Sequence, residues 1–205
     1  MQPNEEFAKI ASSEEINRAI ESLKQNGIEA QVADHASDVQ TIINALVPEG
    51  AEVFTMTSVT LDECGVSDLI NESGKYDSVR NKLNQMKDDQ GREKKRLGAA
   101  PEYTIGSVHA LTQDGKLLIA SNTGSQLAAY AYGADKVIWV VGAQKIVKDF
   151  DEGIKRLYEY SLPLEKVRAK QAYGIDSFVS KILMIHKEKA PGRAHLIIIK
   201  QKIGF

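Results

Sequence analysis

Apolar positions along the chain switch repeatedly between a helical period and short continuous runs. Ile16, Ala19, Ile20 and Leu23 recur at helical spacing and mark one face of a first helix. Ser12 and Glu15 have capping-box spacing at its start, and Gly27 ends it. Residues 28–33 then read as a short strand. Val39, Ile42, Ile43 and Leu46 repeat the helical period behind Ser37 or Asp38 as cap, until Pro48 and Gly50 close the helix. A second strand is expected over 51–56 and a helix from near Thr60, with Leu61, Cys64, Leu69 and Ile70 as its apolar contacts. This helix–strand–helix–strand cadence predicts a layered α/β fold with parallel strands.

Farther along, Tyr76, Val79, Leu83 and Met86 form the stripe of a longer helix over 76–97, and Gly98-Ala99-Ala100-Pro101 reads as a hinge or loop. Two β-rich runs, 107–111 and 116–120, meet at a Gln113-Asp114-Gly115 turn, a short-range hairpin signal. The second run feeds a hydroxyl-rich loop, Ser121-Asn122-Thr123-Gly124-Ser125, which opens a helix over about 125–132. A buried strand over 137–141 follows. Asp149 begins another helix with Phe150, Ile154, Leu157 and Tyr158 on one side, and Ser161 with Pro163 starts a further one. Strands over 182–187 and 195–200 flank Pro191-Gly192 and predict a closing hairpin.

With 205 residues, 42% of them apolar, the chain can bury a core as one domain spanning 1–205. Its single cysteine, Cys64, excludes an internal disulfide and an iron–sulfur cluster held by these thiolates alone. A net charge of −2 leaves no nucleic-acid footprint. No apolar run approaches the roughly 20 residues of a membrane span. The acidic start, MQPNEEF, is unlike a signal peptide, so the expected location is cytoplasmic. Between Arg80 and Arg96 stand seven basic and three acidic residues. They form either a solvated mixed-sign face or a surface for an acidic partner.

Candidate chemistry gathers at two places. The Ser121–Ser125 loop offers hydroxyls, small side chains and helix N-terminal amides that favour an anion, unless it is a plain N-cap loop. Ser58, Thr60 and Glu63 lie beyond the carboxyl end of the 51–56 strand, where open α/β sheets bind ligands. Glu63 is a candidate base or nucleophile, or else caps one helix reciprocally with Thr60. His109, set among Val108, Ala110 and Leu111, is a general-base candidate or a packed histidine. Lys145 either pairs with a substrate anion or is solvated. His35, His186 and His195 have no metal-ligand spacing, Asp151-Glu152-Gly153 is no recognised metal loop, and no metal or cofactor is expected. Trp139 and the tyrosines at 130, 132, 158 and 160 read as core or interface. No P-loop, dinucleotide fingerprint, Ser-His-Asp order or zinc motif occurs.

Three patches carry a family resemblance. Ser58-Val59-Thr60-Leu61-Asp62-Glu63-Cys64-Gly65 is similar to a Ser-x-Thr-x-x-Glu-x-Gly pattern after a strand. The hairpin with its Ser-x-x-Gly loop is the second, and the run from Val137 to Val147 the third. In this order, from about Val53 onward, they resemble the LUD (lactate utilization) domain family, formerly a domain of unknown function. The resemblance implies a Rossmann-like layered sheet of the sugar-phosphate isomerase and CoA-transferase type, with an antiparallel hairpin section and an N-terminal helical region. It also implies an accessory or small-ligand-binding role in bacterial lactate oxidation. Iron–sulfur oxidase subunits would be partners, a small anionic metabolite the ligand, and a homo-oligomer is admitted. Two rivals stand beside it: an independent enzyme acting on a small phosphorylated or CoA-linked substrate through Glu63 and the loop, and a structural interaction protein docking through 80–96. Larger relatives carry cysteine-rich regions that this chain lacks. The family's arginine after the glycine loop is replaced by Ser125-Gln126-Leu127, which leaves the cradle without a nearby fixed charge.

Overall fold

The computed structural model describes residues 2–205. The first half follows the expected cadence through α1 (Ser13–Gln25), β1 (Glu29–Ala33), α2 (Asp38–Leu46), β2 (Glu52–Thr55), α3 (Val59–Glu63) and α4 (Val66–Asn71). The Ser12 capping box forms: its hydroxyl accepts the Glu15 N–H at 3.3 Å, and Glu15 accepts the Ser12 N–H at 2.8 Å. Next come β3 (Asp77–Ser78), α5 (Val79–Gln85), α6 (Gly91–Ala99), β4 (Tyr103–Gly106), β5 (Ala110–Thr112) and β6 (Leu117–Ser121). The chain continues through β7 (Lys136–Gly142), β8 (Ile146–Val147), α7 (Phe150–Arg156), α8 (Leu162–Tyr173), β9 (Lys181–Ile185) and β10 (Ala194–Ile199).

Among these residues a six-stranded, all-parallel sheet runs in the order β1-β10-β7-β4-β2-β3. Its central strands are apolar on both faces, as a sheet covered on each side requires. In β7, Val137, Trp139 and Val141 join α1 and the second sheet in one core. Ile138 and Val140 pack with α2 and α4 in the other. A four-stranded sheet, ordered β8-β5-β6-β9, contains the Asp-Gly hairpin. The mixed α/β architecture, a parallel central sheet beside a second, mixed one, is the Rossmann-like layering that the resemblance implied.

Four expectations are corrected, two of them in part. The two terminal strands do not form a hairpin: β9 pairs antiparallel with β6, and β10 lies between β1 and β7. Burial decides this. Leu196 to Ile199 are fully buried and require a central position, whereas β9 is only half-buried and suits a sheet edge. The single helix over 76–97 is two helices, because Asp77 and Ser78 pair with β2 and Met86 turns extended. Ser161 and Pro163 stand at the start of α8 as expected, but α8 runs on from α7 without a break, through a π turn over Leu157–Ser161. Pro163 has no N–H for the carbonyl of Glu159, and that freed carbonyl accepts the Asn4 N–H at 2.9 Å. The face of this helix is only partly as expected: Ile154 and Leu157 pack inward, but Phe150 and Tyr158 are exposed, and Arg156 and Tyr160 are buried beside Leu157.

Candidate functional site

The chain segments that leave the carboxyl ends of β2 and β4 border a cavity of about 400 Å³. The end of β6 with its following loop, the α7–α8 helix and residues 175–179 close the other sides. This is where an open parallel sheet leaves a crevice. Gly106 sits at the end of β4, where a Cβ would lie 1.6 Å from the Tyr130 hydroxyl. A glycine is therefore required for Tyr130 to reach the cavity wall it helps to form.

Ser58, Thr60, Ser121, Asn122, Thr123 and Ser125 all line this one cavity. So do His109 and Lys145. The two sequence patches thus meet, although they are far apart along the chain. Glu63 and Gly124 are not among the lining residues. The Glu63 carboxylate accepts the Gly204 N–H at 2.7 Å and ties down the C-terminal segment. It forms no capping box with Thr60, since Ser58 is the N-cap of α3.

The Ser121–Ser125 loop is held by its own hydroxyls. Ser121 Oγ accepts the Gly124 N–H at 2.8 Å, and Thr123 Oγ1 accepts the Ser125 N–H at 3.3 Å. The expected helix is only a short turn leading into a π turn over Ala129–Gly133. The loop therefore presents side-chain oxygens to the cavity rather than a row of free amides.

Fixed charge comes from elsewhere. Arg80, near the start of α5, lines the cavity with its guanidinium 5.1 Å above the Phe54 ring. Its Nη2 donates to the Thr55 carbonyl, and among the described residues no carboxylate pairs with it. Burial pulls its pKa down, opposed by Tyr173 and Asp62, yet a guanidinium stays charged. Arg168, also at the wall, is neutralised by Glu165 through bonds of 2.7 Å. Asp176 is exposed at the mouth. Arg80 supplies the cation that the loop sequence lacked. The basic run is thus not purely a surface feature: Arg80 points inward, and Lys82 pairs with Glu52 and Asp77.

Lys145 is not solvated. It ends a single turn after β7 and is 1% exposed. Its Nζ donates to Thr60 Oγ1 at 2.9 Å and Ser107 Oγ at 3.1 Å. Burial first, and then the charge of Arg156, hold its pKa well below the usual lysine range, against weaker opposing pulls from Glu63 and Cys64. Burial pushes the Cys64 thiol up to about 12, so it is no nucleophile at neutral pH.

His109 accepts the Ala120 N–H at Nδ1, 3.1 Å away. The neutral ring therefore carries its proton on Nε2, which makes it a hydrogen-bond donor rather than a base. Burial, with Lys145 and Arg156 nearby, lowers its pKa from 6.5 to about 3. In the unfolded chain His109 binds its proton throughout that interval, and in the fold it does not. Stability is thus retained above pH 6.5 and lost as pH falls toward 3. Melting temperature should drop over this window, and less steeply in His109→Asn, whose side chain can still accept from Ala120; identical acid limbs would contradict the assignment.

Arg156 was missed by the sequence reading. It is completely buried, stacked 5.1 Å from Tyr160, and Nη1 donates to the His109 carbonyl and to Ser161 Oγ. Nε donates to the Gln144 carbonyl at 3.4 Å, while Nη2 has no protein acceptor. It fastens the His109 and Lys145 segments to α7. Its place between Gly153 and Tyr160, both on the buried face, was the available signal.

Among the described residues no helix is long and apolar enough to cross a membrane. No curated protein matches the sequence. Among solved structures, a DUF162 family protein from Deinococcus radiodurans is similar over 93% of this chain and 99% of its own, with a TM-score of 0.56 and 11% identity. That likeness concerns the fold alone. The eIF2B beta subunit from Chaetomium thermophilum is similar over 57% of this chain and 44% of its own, at 14% identity and a TM-score of 0.38, too low to bear on the fold. The family model for the LUD domain matches residues 16–199, and DUF162 denotes the same family. The match spans most of the sequence, and the chain therefore belongs to the LUD domain family.

Proposed function

We propose that the cavity binds the anion of a small organic acid, and that the chain serves lactate or organic-acid utilization as a ligand-binding partner of an iron–sulfur oxidase. Arg80 carries the first part. A partly buried guanidinium without a carboxylate partner, facing a hydroxyl-lined cavity, is a preformed receptor for a planar carboxylate. The neutral His109 Nε2–H and the hydroxyls of Ser58 and Ser107 add uncharged polar groups suited to a 2-hydroxyl or carbonyl oxygen. Family membership supports the metabolic setting. The rival in which Glu63 attacks a thioester or phosphorylated substrate draws no support, since Glu63 holds the C-terminal segment.

The test is a thermal-shift and calorimetric series with lactate, pyruvate and acetate against lactamide as the uncharged analogue. The acids should raise the melting temperature; a ligand at 100 times its Kd stabilises by about 2.7 kcal/mol. An equal response to lactamide, or none to any acid at millimolar concentration, would overturn the anion site. Co-purification with an iron–sulfur oxidase from a native host tests the partner.

A further inference from the structure

We propose that Lys145 forms a reversible imine with the carbonyl carbon of a 2-oxo acid bound in this cavity. The inference rests on the organic-acid reading above and names the substrate class within it: an acid bearing a carbonyl next to its carboxylate.

Three observations carry it. First, Lys145 is the lysine in the cavity wall, and it is fixed there: it follows the central strand β7 directly, is almost wholly buried, and its Nζ sits between Thr60 Oγ1 and Ser107 Oγ, both of which also line the cavity. Second, no carboxylate pairs with that nitrogen among the described residues. Glu63 and Cys64 act on it only from farther off on the α3 side, and Arg156 on α7 opposes a positive charge. A buried ammonium so placed would be poorly compensated, and the neutral amine with its free lone pair is the favoured form. A lysine serving only to bind an anion would not need to be stripped of its charge. Third, the same cavity holds the complementary groups: Arg80 for the carboxylate, and the His109 Nε2–H as a donor to the carbonyl oxygen.

The chemistry balances without any oxidant. The Nζ lone pair adds to the carbonyl carbon, giving a carbinolamine. The two amine protons depart with the carbonyl oxygen as one water, and a carbon–nitrogen double bond remains. The Thr60 and Ser107 hydroxyls, already hydrogen-bonded to Nζ, are placed to pass those protons. Hydrolysis reverses the sequence. A 2-hydroxy acid has no carbonyl and can bind but not condense.

Borohydride reduction of the intact protein mixed with pyruvate, followed by peptide mass spectrometry, tests the proposal. A single reduced-pyruvate adduct on Lys145 is expected, absent when lactate replaces pyruvate and suppressed when excess lactate competes. Lys145→Met should lose the adduct. Because that substitution sits in the core, its melting curve is compared with the parent, and adduct mapping on the unmodified sequence gives the answer without any variant. If pyruvate binds by calorimetry but no adduct appears, or adducts scatter over surface lysines, the imine is overturned and the anion site stands. If neither pyruvate nor lactate binds, both readings fall together.

Discussion

Trp139→Ala should lower the unfolding free energy by about 3–5 kcal/mol, the cost of removing a large aromatic side chain from a close-packed interior. Trp139 is fully buried at the middle of β7, in register with Leu196 on one side and Gly106 on the other. Its ring lies 5.7 Å from that of Tyr130, at 56°, in a tilted aromatic pair. Truncation leaves a void beneath Tyr130, which borders the ligand cavity, so anion binding should weaken along with stability. The indole N–H has no acceptor among the described residues. Trp139→Phe therefore costs much less, because it keeps an aromatic partner for Tyr130 and deletes an unsatisfied donor. Urea unfolding of both variants decides the point. Equal losses would mean that the indole nitrogen, not ring volume, is what matters.

Arg80→Met should weaken binding of a small organic acid about 10- to 100-fold, in line with about 1.5–3 kcal/mol for hydrogen bonds to a charged group. Methionine keeps the apolar contact with Phe54 while removing the one unpaired guanidinium that lines the cavity among the described residues. Arg80 also donates to the Thr55 carbonyl, so a modest fall in melting temperature accompanies the change. Arg168→Met is the informative contrast. Arg168 is already bonded twice to Glu165, and its loss should reduce affinity far less. Isothermal titration with lactate separates the two, and a larger loss from Arg168→Met than from Arg80→Met would show that the anion sits toward α8 instead of against α5.

Much of the first half was legible because local and global preferences agree there. The Ser12 box, the α1 and α2 stripes and the apolar β2 each need only near neighbours to be recognised. The terminal strands were assigned to the wrong partners because a two-residue Pro-Gly turn signals a hairpin locally, and only the neighbouring β1 and β7 show that β10 belongs inside the parallel sheet. The hydroxyl residues of both site patches, singled out from the sequence as ligand candidates, line one cavity in the structure, whereas the cations at that cavity were less legible. Arg80 was counted with a solvated run, Lys145 was left between an anion contact and a solvated lysine, and Arg156 was not noticed, since its spacing from Gly153 and Tyr160 signals burial only once the buried face of that helix is known.

The sequence by itself determined the α/β class, the family and the hydroxyl content of the candidate site, because periodicity, capping residues and motif order are carried by nearby positions. Tertiary structure alone decided which cations face that site and in which direction their proton affinity is moved. A side chain's charge depends on what displaces water from it. For Lys145 these are Thr60 and Ser107, 85 and 38 residues away along the chain, with Arg156 as the opposing charge.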